Sequence, residues 1–503
     1  MSAIITSKFR LDTTNKFVSS LAENQFYMAL GRPNAWADDT TPTVPYENDY
    51  TSHTLWENMF AMKRVDAIDI IHSSTRNLWV SGTTYIEYDD QDTNIEGKLY
   101  FVISDNNNVY LCLKAGNGSS SVNPDVIGVQ AAGVHATGAD GYVWKYMYTI
   151  PTADVTKFLT SSFIPVRHLL EAPGAGADTA LTNQWNVQEA AVDGAIYNYK
   201  ITNAGVDYTS VPTLTVVGDG TSATATAVLS GGTTGTMTDI TVTAPGTGYT
   251  HALITVSTSG STTSAVVRPV IGPVGGFGAN PTSDLRSHYV TINKAFTGDE
   301  SASIPDANDF RQIAILKNPT TLAASSAAIS GASSMVIGQF YKILTLGNSS
   351  AANWATAGAP ADYKVGTVFK AIAVTSTGTG TVGAIASATA YNTCSSLTVA
   401  TGNTFPSDQL IEGTITGAKG FVVEYNATSG VIHYIQNEAT GYVAFTDSDY
   451  IRESGTSIAG KDCTAVTGPL INHHSGDVMF VENKTATSRA TDQVETVRLV
   501  IAF

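Results

Sequence analysis

The stretch Gly141-Tyr-Val-Trp-Lys-Tyr-Met-Tyr-Thr-Ile150 constrains this chain more than any other. Tyr142, Trp144, Tyr146, Tyr148 and Ile150 alternate with smaller or polar residues, Asp140-Gly141 supplies a turn before them, and Pro151 ends the run. Alternation with period two sends successive side chains to opposite faces of a strand, and aromatic residues favour that geometry. The segment therefore reads as a central core strand with one heavily aromatic face. An exposed platform for stacking sugars is the competing use, but large aromatic faces usually supply buried area.

A chain of 503 residues exceeds what one compact core accommodates, so several domains are expected. Charged residues make up only 14%, while Gly, Ser, Thr and Ala abound, a profile that suits an all-β protein with a hydroxyl-rich surface. The formal charge of −16 argues against nucleic acid as a partner, because such binding needs Lys and Arg to neutralise phosphates. Cys112, Cys394 and Cys463 are odd in number and far apart, which fits neither a disulfide framework nor a CxxC metal site. No secretory apolar region follows Met1, and no window approaches about 18 consecutive apolar residues, so the expectation is a protein made in a cytoplasm and not anchored in a membrane.

Around the aromatic strand, Thr14 to about Glu23 can form a short helix with Phe17 and Leu21 on one face, and Gln25 to Leu30 a strand. Thr54-Leu-Trp-Glu57 has the capping-box pattern of a second helix that would lie over a sheet. Lys98–Ser104 and Val109–Lys114 flank Asp105-Asn-Asn-Asn108, which tolerates left-handed turn geometry, and so predict a hairpin. After about Glu171 an Ala-Pro-Gly-rich linker opens. Two similar units follow: Ile201-Thr-Asn-Ala-Gly-Val-Asp-Tyr208 with its strands, then Ile240 through Ala244-Pro-Gly-Thr-Gly-Tyr249 with its own. Repetition at about 40 residues indicates a duplicated β module. A second charge-poor stretch begins near Thr320, a strand-rich one spans about Thr389–Val466 and includes Gly441-Tyr-Val-Ala-Phe445, and Thr496–Phe503 closes with Val497, Leu499, Ile501 and Phe503 on one face.

The expected organisation is a β-sandwich core with a few short helices and two inserted β-rich domains. The first core segment is 1–174, the two-repeat insertion 175–268, the second core segment 269–319, the second inserted module 320–388, and 389–503 a β-rich segment with the C-terminal core strands.

Five segments in order resemble the baseplate wedge subunit of contractile-tailed bacteriophages, the gene-product-eight type. They are Ile4 through Lys8, Phe9 and Arg10; Arg76-Asn-Leu-Trp79 with Tyr85; Asp140-Gly141-Tyr142-Val-Trp144-Lys-Tyr146 with Ile150-Pro151; Phe310-Arg311-Gln312 through Pro319; and Gly476 through Glu482 and Asn483 to Asp492 and Gln493. The chain departs from that pattern in Lys484, where an arginine is expected, and in both charge-poor insertions. The resemblance implies a structural role without catalysis or cofactor, a tendency to form a homodimer, and a place in the virion tail baseplate among other wedge proteins. Contacts with tail-fibre attachment proteins are a further expectation, and no nucleic acid or membrane partner is. The alternative is a receptor-binding adhesin or a glycan-hydrolysing tailspike, against which stands the lack of sustained short repeats.

Candidate chemistry is sparse. His473-His474 with Asp477 is the densest set of metal-ligand types, yet a polar turn accounts for it, and no metal is assigned. Asp89-Asp90 with Asp92 lacks the Gly and distal Glu of a calcium loop and reads as a solvated turn, and Asp299-Glu300 is similarly plain. Gly275-Gly-Phe-Gly278 lacks a Gly-Lys-Ser/Thr ending and reads as a tight turn rather than a phosphate loop. Arg311 sits in an apolar strand pattern. If buried it needs a carboxylate, within the chain or at a subunit contact.

Overall fold

The computed structural model of the chain describes residues 4–129, 135–322, 327–331, 334–402, 404–457 and 459–503. The fold is all-β, built of antiparallel sheets, and its longest described helix, Ser7–Ser19, has 13 residues. No helix among the described residues is long and apolar enough to cross a membrane. The chain forms two compact units, one of Met1–Asn15, Ile71–Thr291 and Leu499–Phe503, the other of Lys16–Ile70 and Ile292–Arg498. The helix expected from Thr14 starts earlier, at Ser7, because the Thr6 hydroxyl accepts from the Phe9 N–H at 3.2 Å and opens it there.

In the first unit, strands Phe101–Ile103, Asn108–Lys114, Val143–Thr149 and His135–Thr137 lie in that order in one sheet. The expected hairpin is present, with Asn107 at φ 61° in its turn. The aromatic strand is also present, but its single aromatic face is not. Val109 pairs with Tyr148 while Tyr110 pairs with Tyr146, so Met147 is an extra residue, and such a bulge reverses the alternation beyond it. Tyr142, Trp144 and Tyr146 therefore pack with Tyr85, Tyr110 and Val187 on one side of the sheet. Met147, Tyr148 and Ile150 pack with Val109, Leu111 and Phe277 on the other. Both faces are core.

Val187 comes from a helix, Thr179–Glu189, in the stretch that sequence alone marks as linker. Asp178 caps it by accepting from the Ala180 N–H at 2.9 Å. Its inner face is partly polar: Gln184 is 1% exposed and donates to the Arg167 carbonyl at 2.7 Å, and Gln188 bonds both the N–H and the carbonyl of Leu169. Amides in place of aliphatics satisfy the backbone they cover and erase the apolar periodicity that announces a helix.

The two repeats do not form separate modules. Ile196–Asn203 pairs with Val266–Ile271, Leu214–Gly218 with Ala252–Val256, and Thr221–Leu229 with Met237–Thr247, so every pair takes one strand from each repeat. One cluster holds Tyr208, Ala223, Ile240, Tyr249 and Val267 together. The exchange is reciprocal: the Tyr208 hydroxyl accepts from the Ala265 N–H at 2.6 Å, and that of Tyr249 from the Ala223 N–H at 3.3 Å.

In the second unit a five-stranded sheet runs in the order Ala390–Asn392, Met59–Val65, Phe26–Gly31, Asp309–Lys317, Asp477–Ser488. Tyr27, Trp56, Met62, Leu316 and Ile471 form the core beside it. Trp56 belongs to the helix Asp49–Asn58, which Asn48 caps through the Thr51 N–H at 2.8 Å, not Thr54 as the capping-box pattern suggests. Thr54 donates instead to the Thr51 carbonyl.

The stretch after Thr320 contributes a sheet of Ala327–Ala328, Thr381–Ala384, Phe340–Thr345 and Val368–Lys370, closed over Trp354, which is fully buried on the helix Ala351–Ala357. Six strands between Ser395 and Thr467 form a closed barrel filled by Leu397, Ile411, Val422, Ile432 and Ile451. Gly441–Phe445 is not one of its strands: Gly441 takes φ 71°, and Phe445 turns in to meet the Tyr434 ring edge-on at 5.0 Å.

Candidate interaction surface

The strand Asp309–Lys317 is paired on both sides, and Ile313 to Leu316 are at most 2% exposed. Arg311 is 6% exposed and reaches Asp309 at 2.8 Å and Asp408 at 3.1 Å, with the Pro33 carbonyl at 3.3 Å. Arg32, 3% exposed, meets the same two carboxylates at 2.5 Å and donates to Ser407 at 2.8 Å. The Arg311 partner is thus internal. Burial pushes the Asp408 carboxyl up, but the hydrogen bond from Arg311 and the charge of Arg32 hold it below the usual carboxylate range.

The neighbouring residues bond across to the next strand and to a loop. Gln312 donates to the Asn483 side-chain carbonyl at 2.7 Å, Asn483 donates to the Thr43 carbonyl at 2.8 Å, and the Trp36 indole donates to the Lys484 carbonyl at 2.8 Å. These bonds fasten the Pro33–Asn48 loop alongside Asp477–Ser488, the last strand of its sheet. Between Pro45–Ser52 and Val478–Val481 lies a groove of about 660 Å³. Two exposed apolar groups line it, Tyr46 at 74% exposed and Met479 at 49%. An edge strand presents unpaired N–H and C=O groups to another chain, and exposed apolar side chains beside it add area to be buried.

The other residues singled out from sequence fall elsewhere. Lys8 and Phe9 are exposed on the first helix, and Arg10 stands 3.5 Å from Glu96. Trp79 is half-buried, donates to the Ser120 hydroxyl at 3.2 Å, and packs on the cluster of Tyr142 and Trp144, whose rings stack 5.7 Å apart. Gly141 takes φ 83°, which glycine adopts freely, and places Tyr142 at the sheet. Phe310 is buried, Glu482 is exposed on the edge strand, and Asp492 and Gln493 are exposed in the turn before the last strand. The structure therefore joins Gln312 with Asn483, and Trp79 with Tyr142 and Trp144.

The candidate ligand sets are otherwise engaged. His473 Nε2 meets the Thr393 carbonyl at 2.7 Å, its ring lies 5.9 Å from that of Trp56, and burial pushes its pKa down. His474 faces His53. Asp89 is no solvated turn: Arg268 contacts both its oxygens at 2.6 Å, Lys200 lies at 2.8 Å, and against the effect of burial these cations lower it to about 2. Glu300 pairs with Lys63 at 2.6 Å. In the tight turn at Gly275–Gly278, the Gly278 N–H donates to Asp284 at 2.7 Å. Among the described residues no three His, Cys, Asp or Glu side chains are placed to hold a metal ion.

Sequence reasoning missed Arg32 and Asp408, for which local pattern gives no signal, since their partners are distant in the chain, and also Asp284, which accepts from the Gly278 N–H six residues earlier. No family model matches the chain, and no curated protein matches it.

Proposed function

We propose that the chain is a non-enzymatic structural subunit of a contractile phage tail baseplate wedge, binding neighbouring wedge proteins, a second copy of itself among them, during tail assembly. The observation that carries the reading is the long edge strand Asp477–Ser488 with its exposed apolar rim, set on a sheet whose charges are internally neutralised. A strand from a neighbour extends the sheet at Val478–Val481, beyond the part of the edge that the loop covers, its main chain supplying the hydrogen bonds and the Tyr46 and Met479 side chains the buried area. The ordered resemblance of the core segments supports the baseplate assignment.

The test is imaging of whole virions carrying the tagged protein, combined with Met479→Lys. A charge on a sheet edge opposes strand addition. Label in the baseplate, with binding to wedge neighbours weakened about tenfold or more by the substitution and an unchanged melt, is the expected result. Label elsewhere on the particle overturns the assignment.

One observation favours the adhesin or tailspike reading. Trp36, Tyr50, Glu57 and Glu438 line a cleft of about 490 Å³, a set of rings and carboxylates that suits a sugar. There the Tyr50 hydroxyl donates to Glu438 and that of Tyr442 to Glu57, both at 2.8 Å, so both carboxylates already accept a bond. A positive glycan array or cleavage of a surface polysaccharide replaces the structural reading.

A further inference from the structure

A second cleft of the second unit, about 340 Å³ and sharing no residue with the groove, is lined by Asp299, Asp306, Glu424 and His433, with Asn392 and Ser429. Its acidic groups lie close together: the Asp306 N–H donates to Glu424 Oε2 at 3.2 Å, and His433 Nδ1 lies 3.6 Å from the same oxygen. Asp306 is 4% exposed, and its Oδ2 is buried without a hydrogen-bond partner. Buried carboxylate oxygens are nearly always satisfied, so an orphan one lining a cavity marks a position for a donor from outside. Burial, and then the charges of Glu424 and Asp299, push the Asp306 carboxyl up, partly offset by a hydrogen bond from the Thr491 side chain and the charge of Arg489.

The neighbouring Arg489 does not fill this role. Arg489 is committed to Glu495 at 3.1 Å, to the Gly298 carbonyl at 2.7 Å and to the Pro305 carbonyl. A metal ion is a poor match, since among the described residues no three acidic or imidazole groups converge to hold one. What fits is a donor-rich organic cation whose several N–H groups reach both carboxylates and whose apolar stem lies against Ile304 and Val431 of the lining.

We propose that this cleft is a socket for an arginine or lysine side chain on the surface of a partner protein, its cation bridging Asp306 and Glu424. Desolvated pockets of this kind are where interface arginines contribute most to affinity and register. The inference is independent of the edge-strand contact, since it names a different surface and is tested without an assembled particle.

The experiment titrates the full-length protein with N-acetylarginine amide and follows ligand saturation-transfer signals, with the neutral isostere N-acetylcitrulline amide as control. Saturable binding of the arginine compound, none of the citrulline compound, and weakening by about tenfold in Asp306→Asn are expected. Glu424→Gln provides a second variant should the first alter the melt. The proposal is overturned if neither compound binds saturably, if both bind alike, if neither variant weakens binding, or if calcium chloride displaces the arginine compound at lower concentration than the compound itself requires.

Discussion

Gly205 and Gly246 hold equivalent places in the two repeats, and replacing either with alanine tests whether those repeats form one core. Their φ angles are 63° and 66°. A methyl group at 205 would meet the Ala265 nitrogen and Thr263 oxygen at 2.7 Å, and one at 246 the Ala223 nitrogen and Thr221 oxygen at 2.6 Å, in each case backbone of the other repeat. The left-handed conformation costs an alanine about 1–2 kcal/mol. Moving the facing strand to relieve the contact breaks the Tyr208 to Ala265 or the Tyr249 to Ala223 hydrogen bond, and leaving such buried groups unsatisfied costs about 1–3 kcal/mol more. Each substitution is therefore expected to destabilise the module by about 2–5 kcal/mol. Gly232→Ala, at φ 79° with nothing within 4 Å, isolates the conformational cost alone, about 1–2 kcal/mol. Hydrogen exchange on the full-length protein is the assay, and either Gly205→Ala or Gly246→Ala should lower protection across both 196–229 and 237–271. Loss confined to the repeat that carries the substitution refutes the shared core.

Excising 201–267 and joining Lys200 to Arg268, which are paired neighbours, through a two-residue turn leaves the aromatic sheet intact by proteolysis, whereas removing 175–268 takes away Val187 and exposes it; equal protease sensitivity of the two deletions contradicts this. Arg489→Met strands the buried Glu495 carboxylate and should lower stability by about 3–5 kcal/mol in urea unfolding, most of it recovered in Arg489→Met with Glu495→Leu; a single-variant loss below about 1 kcal/mol refutes the pairing. Burial raises Asp284 to about 7 and lowers Lys145 to about 8. The folded state then holds the Asp284 proton that the unfolded chain releases near the ordinary aspartate value of 3.8, so stability falls as pH rises from there to about 7, and it rises again above about 8 as the unfolded chain retains the lysine proton. Asp284→Asn should abolish the decline on the acid side, read as the urea midpoint against pH.

What the sequence made legible was local. Strand periodicity located Val143–Thr149, Phe26–Gly31 and the terminal Val494–Ala502, and the asparagine run located the hairpin, because each signal lies within a few residues of its consequence. The bulge at Met147 was invisible, since it depends on the register of a partner strand that begins at Asn108. The helix Thr179–Glu189 was hidden because glutamines satisfying backbone replaced part of its apolar stripe. The duplication was legible, but not the pairing of each strand with the opposite repeat, which follows from closing a single core rather than from either copy.

The candidate surfaces were harder still, for an electrostatic reason. With 27 basic residues against 43 acidic ones, composition alone suggests an acidic surface with scattered cations. The structure spends many of those cations internally: Arg32 and Arg311 on Asp309 and Asp408, Arg268 and Lys200 on Asp89, Lys294 on Asp69, and Arg489 on Glu495. Most of these pairings join residues far apart in sequence, so no spacing rule finds them. Their consequence is that other carboxylates, such as Asp306 and Glu424, gather with only His433 at 3.6 Å from Glu424 and an Arg489 already committed to other partners. On the socket proposed above, a chain that uses its cations as internal fastenings would draw a cation from a partner, and its negative surplus would then help to select neighbours rather than form a uniform coat.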